Sequence, residues 1–282
     1  MQKPTEQERG PAPRVRDHVC RGYRRPAEFV ADAQEFLAEG LAAGERVLYV
    51  APGDEAALTG QLREDDRCGE GLDSGAVQVA SVDAAYPSGT VVDPAGQVAV
   101  YASATSEALA AGFTGLRVAA DVTSLARTPA QVDAFARYEH LVDHFMAAHP
   151  MSAMCGYDVG ELGGEVVAQL ACMHPHANAG ATPFHLHGHA QDGSAAALDG
   201  DLDLESRELW PLALERAGLR SSAGTIAIDA AGLGFVDHRS LFALADYAER
   251  HATTVVLRTR LTTPARLVEL LDLPGVRVER AA

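Results

Sequence analysis

From residue 18 to residue 158, short apolar runs with strand character alternate with longer stretches whose apolar residues recur at helical spacing. HVCRGY (18–23) is followed by RRPAEFVADAQEFLAEGLAAG. There Pro26 suits a first turn, Phe29, Ala33, Phe36, Leu37 and Leu41 share a stripe, and Gly44 lies just past the end. RVLYV, VQVASV, GLRVAAD and SAMCGYD are the next strand candidates, with helical stretches at about residues 55–62, 98–111 and 129–148 between them. Strands that alternate with helices must be joined by crossovers, so this pattern predicts an α/β fold with a parallel sheet covered by helices.

The length of 282 residues suits two domains. Residues 1–13 read as a disordered tail and 14–173 as the first domain. The small, polar, proline-containing stretch at 174–182 reads as a linker, and 183–282 as a smaller α/β domain. In that second part FHLHGHA, AALDGDLDL, TIAIDA, TVVLR and VRVE are the strand candidates.

Charge narrows the function classes. With 23 basic against 39 acidic residues, the net charge of -16 repels phosphate backbones and anionic lipid, so neither nucleic acid nor a membrane is an expected partner. No apolar run approaches the roughly 18 residues of a membrane span. The polar, proline-rich start lacks a secretory signal, and the expected location is cytoplasmic. Cys20, Cys68, Cys155 and Cys172 form no CxxC pair, which argues against a disulfide scaffold and a cysteine-based zinc finger. Lys3 is the only lysine and sits in the tail, so a P-loop kinase or a Schiff base is not expected.

The segments QEFLAEGLAAGERVLYV and GLRVAADVTSLA resemble the opening of a RecA/KaiC-like ATPase domain and the strand that carries its Mg-site aspartate, here Asp121. The phosphate loop itself is missing. GYRRPAEF offers neither the glycines nor the lysine of GxxxxGK[ST], so nucleotide hydrolysis is not expected. Asp17-His18-Val19-Cys20, FLAEGLAAGERVLYV, GLRVAAD and Cys155-Gly156-Tyr157-Asp158, in that order, resemble the MEDS (DcmR-type sensory) domain, a degenerate domain of this kind, over residues 14 to about 175. The resemblance implies small-ligand sensing without catalysis and without a cofactor. Many relatives carry a tryptophan soon after the aspartate, where this chain has Thr123, Ser124 and Leu125.

ALDGDLDLES, TIAIDAAGLGFVDHRSLFALADYA and TVVLRT are similar to a STAS domain of the anti-sigma factor antagonist type, across about Pro183 to Arg280. That likeness implies an anti-sigma factor or serine-kinase-type partner docking on the loop Asp237-His238-Arg239-Ser240. The serine phosphorylated in such loops is replaced here by His238.

Open α/β sheets bind ligands at the carboxyl ends of their strands. If the first and last strands of the N-terminal sheet are neighbours, His18, Cys20, Tyr23, Asp121, Cys155, Tyr157 and Asp158 converge there as a ligand site. The competing readings are apolar filler for the cysteines and turn capping for the aspartates. A thiol- or histidine-dependent enzyme built on the same set is the alternative function. His185, His187 and His189 alternate, with His174 and His176 just upstream; this run is read as a solvated surface rather than a zinc or nickel site, and no metal is assigned.

Overall fold

The computed structural model describes residues 18–188 and 193–281. The N-terminal tail and His189 therefore lie outside the described residues. In chain order the elements of the first half are β1 (His18–Tyr23), α1 (Pro26–Ala42), β2 (Arg46–Ala51), α2 (Glu55–Leu62), α3 (Asp66–Ser74), β3 (Val77–Ser81), α4 (Val82–Ala85), α5 (Pro94–Ala110), β4 (Leu116–Asp121), α6 (Pro129–Ala148), β5 (Met151–Asp158), α7 (Val159–Leu162) and α8 (Gly164–Ala171). The second half adds β6 (Phe184–His187), β7 (Ala196–Leu202), α9 (Leu209–Ala217), β8 (Thr225–Val236), α10 (His238–Arg250), β9 (Thr254–Thr259), α11 (Thr263–Leu270) and β10 (Val276–Arg280). Among the described residues no helix is long and apolar enough to cross a membrane.

The first sheet has the order β1-β5-β4-β2-β3 and is parallel throughout. Its central strand β4 is buried along its whole length, as a strand covered on both faces must be. One face carries α1, with Phe29, Ala33, Phe36 and Leu37 packed on Tyr49, Ala119 and Met154. The other face carries α5, α6 and α8. The second sheet, β10-β9-β8-β7-β6, is mixed because β6 runs antiparallel to β7.

The two sheets share one apolar core. Phe135, Val142 and Met146 of α6 belong to the same buried cluster as Phe184 and Leu186 of β6, Leu198 of β7 and Trp210 of α9. The stretch at 174–182, read from sequence as a linker, is tied down at several points. His174 is fully buried, Cys20 N–H donates to the His176 carbonyl at 2.8 Å, and the Asn178 side chain accepts from Gly22 N–H at 2.7 Å. This segment thereby covers the outer edge of β1, which would otherwise present unpaired backbone groups.

Candidate functional site

β1 and β5 are neighbours, with His18 opposite Ala153, Cys20 opposite Cys155 and Gly22 opposite Tyr157. Side chains on a strand alternate between faces. His18, Cys20, Cys155 and Tyr157 therefore project under α6, whereas Tyr23 and Asp121 project toward α1. The seven residues expected to converge form two separate groups.

The α1-side group is a capping network. Asp121 accepts hydrogen bonds from Tyr23 Oη at 2.7 Å, Thr123 Oγ1 at 2.8 Å and Thr123 N–H at 3.2 Å. Burial raises the Asp121 carboxyl, and these donors oppose the shift. Thr123 Oγ1 in turn accepts from Asp158 N–H at 3.0 Å, and Asp158 caps α7 by accepting from Gly160 N–H at 2.8 Å. Thr123 thus ties the ends of β4 and β5 together.

The α6-side group is centred on a carboxylate that strand-based reasoning did not single out. Glu139 is fully buried, and its Oε2 lies 3.1 Å from His18 Nε2 and 3.6 Å from Cys155 Sγ. Its Oε1 accepts a short hydrogen bond from Tyr157 Oη. One helical turn on, Asp143 Oδ1 lies 3.2 Å from the other His18 nitrogen, Nδ1. The His174 ring lies against His18, tilted by 38° with ring centroids 4.0 Å apart, and its Nε2 is 3.5 Å from Glu139 Oε2. The donor atoms of His18, Glu139, Cys155 and His174 all lie within 4.8 Å of one another, so this group could hold a metal ion.

Burial alone would neutralise His18, yet the carboxylates of Asp143 and Glu139 raise it to about 9. Burial, reinforced by the neighbouring His18, pushes His174 down to about 4 against the opposing pull of Glu139 and the Leu170 carbonyl. Burial and the Glu139 charge drive the Cys155 thiol well above its ordinary range, and burial does the same to Cys20. Neither is poised as a thiolate nucleophile in this environment. A cavity of about 20 Å³, room for one water-sized guest, lies beside Cys155 between Tyr101, Val118, Phe135 and Tyr138.

The polar line continues into the second sheet. His187, read from sequence as part of a solvated run, is 6% exposed, 3.6 Å from Asp143 through Nδ1 and 3.0 Å from Asp199 through Nε2. His185 is directed to the His174 carbonyl at 2.7 Å. β6 packs against α6, so His187 meets carboxylates rather than water, while the half-buried His185 meets a backbone carbonyl.

On the far loop, Asp237 caps α10 by accepting from Ser240 N–H at 2.7 Å. His238 and Arg239 are exposed, while Ser240 is buried beneath the helix start, its carbonyl accepting from Trp210 Nε1 at 3.1 Å. Phe235 and Phe242, 51% and 41% exposed, flank this loop and extend the expected surface.

The fold and this site define a parallel α/β domain with a buried histidine–carboxylate–thiol centre, continuous with a mixed-sheet unit. Residues 17–175 match the family model of the MEDS domain, the MEthanogen/methylotroph, DcmR Sensory domain, and the chain belongs to that family. The family's sensory character gives the chain a signalling role. No curated protein matches the chain.

Proposed function

We propose that the chain is a non-enzymatic cytoplasmic regulator in which the MEDS unit reads a small ligand and the second sheet, as a STAS-like module, docks an anti-sigma factor or serine-kinase-type protein. The observation that carries this reading is the polar line from Cys155 and His18, through buried Glu139, Asp143 and His187, to half-exposed Asp199, which joins the β1–β5 side of the first sheet to the second sheet. A ligand that disturbs the cluster changes charges shared with β6 and β7, and a tenfold effect on partner affinity needs only about 1.4 kcal/mol of such coupling.

The adjacency of β1 and β5 and the lack of any lysine from residue 18 onward fit a degenerate RecA/KaiC-like domain that has lost its phosphate loop. The small cavity beside Cys155, lined mainly by apolar side chains, supports a very compact neutral ligand. Phe235, His238, Arg239 and Phe242 supply an apolar patch with one cation, suited to an acidic-rimmed protein surface. Ser240, buried at the helix start, is not offered to a kinase without local opening. The protonated, buried thiols support regulation over a thiol-dependent hydrolase.

Capture from host extract is the test. The native chain is expected to enrich an anti-sigma or serine-kinase-type protein, with Arg239→Glu and Phe235→Ser each reducing capture at least about tenfold. Turnover of generic esters or nucleotides that disappears in Cys155→Ser would establish the enzyme instead.

A further inference from the structure

His174 is held in one tautomer by its surroundings. Its Nδ1 lies 2.9 Å from the Leu170 carbonyl, which can only accept, so the ring proton is on Nδ1 and Nε2 presents a lone pair. That Nε2 is fully buried, makes no hydrogen bond, and faces Glu139 Oε2 at 3.5 Å. Two acceptors facing each other in a dry interior are unfavourable unless a cation lies between them. His18 Nε2 and Cys155 Sγ border the same space, 3.1 and 3.6 Å from that Glu139 oxygen and 3.9 Å from each other.

We propose that His18, Glu139, Cys155 and His174 bind one divalent transition-metal ion of the zinc class in a tetrahedral site, through His18 Nε2, Glu139 Oε2, Cys155 Sγ and His174 Nε2. Zinc bonds of about 2.0–2.3 Å set tetrahedral edges of roughly 3.3–3.8 Å, and donor spacings from 3.1 Å up to a limit of 4.8 Å close on that figure with small side-chain shifts. The ligands come from β1, α6, β5 and the turn after α8, so the fold rather than a short sequence motif assembles them.

The surrounding shell is also built. His18 Nδ1 is held by Asp143 at 3.2 Å, His174 Nδ1 by the Leu170 carbonyl, and Glu139 Oε1 by the Tyr157 hydroxyl. Carboxylate and carbonyl partners of this kind orient metal-binding imidazoles and raise their basicity. Coordination displaces the Cys155 thiol proton and the proton between His18 Nε2 and Glu139, both of which leave to solvent. The glutamate and thiolate charges then balance the dication. Four protein donors leave no open position, so the ion is structural or regulatory and loads as the chain folds. This goes beyond the sensory reading, and either can stand without the other.

The experiment is elemental analysis of the full-length chain purified without chelator and without a histidine tag. About one zinc per chain is expected, falling below about 0.2 in Cys155→Ser and His174→Gln. Refolding the native chain with Co²⁺ separates ligation from folding. It should give the intense visible d–d bands of tetrahedral cobalt and a near-ultraviolet thiolate-to-cobalt charge-transfer band that Cys155→Ser removes. A chain with native circular dichroism that retains neither zinc nor cobalt overturns the proposal, leaving a hydrogen-bonded cluster only. So does a thiolate band that survives Cys155→Ser.

Discussion

His187 shows how neighbours reverse the effect of burial. Burial favours its neutral form, but Asp143 of α6 and Asp199 of β7 raise it from 6.5 to about 9, against weaker opposition from His185 and from His140 and His144 on α6. A folded pKa above the unfolded one means the contribution is complete below pH 6.5 and is lost as pH rises through about 9. His187→Gln is expected to lower stability by about 2–3 kcal/mol at pH 6, with the gap to the native chain narrowing by pH 9.5. Urea denaturation across that range checks it; a gap independent of pH would show that packing, not charge, holds this residue. Sequence alternation places His185 and His187 on one face of a strand but does not say whether that face meets water or a helix. Glu139 and Asp143 were legible by another route. They fall on the buried stripe of α6 with Phe135, Val142 and Met146, where a charge requires a partner.

Among the elements, α1 and β5 meet through a missing side chain. A Cβ on Gly156 would come within 2.5 Å of the Phe29 ring, which is buried against Tyr23 and Tyr49 and has nowhere to move. Gly156→Ala is expected to cost about 1–3 kcal/mol by chemical denaturation. Phe29→Leu, harmful alone through lost packing, should recover part of that loss in the double variant. Strictly additive losses would mean that the two residues do not compete for space. The order of the strands and of the longer helices α1, α5, α6 and α10 was legible because each strand is a short apolar run bounded by turns and α1 and α6 keep a clear stripe. By contrast α3, which buries only Cys68 and Gly71, and the eight-residue α8 carry too little periodic signal to be read. The adjacency of two strands does not by itself tell which face each side chain takes; the two-residue period carried across β1 and β5 divides the candidate residues into two groups. Cys20 and Cys155 share a face while Tyr23 lies on the other.

At the scale of the whole molecule, composition patterning suggested a boundary near residue 174 because small, polar, proline-containing sequence interrupts the periodicity there. Long-range contacts decide what such a stretch does, and here His174, His176 and Asn178 return to β1 and α6 while one apolar core runs beneath both sheets. An interface that is part of a hydrophobic core couples the units it joins, unlike the polar contacts usual between mobile domains. Trp210, the only tryptophan, reports on the second unit from a site against Phe184, with ring centroids 5.5 Å apart. Its fluorescence and the far-ultraviolet circular dichroism of the whole chain are therefore expected to change at the same temperature. Gly156→Ala, which acts only in the first sheet, should lower both midpoints equally, by roughly 2–4 °C for each kcal/mol lost. A fluorescence transition that keeps its midpoint in that variant would show that the second sheet unfolds independently, and the polar line from Cys155 to Asp199 could not then transmit a signal between them.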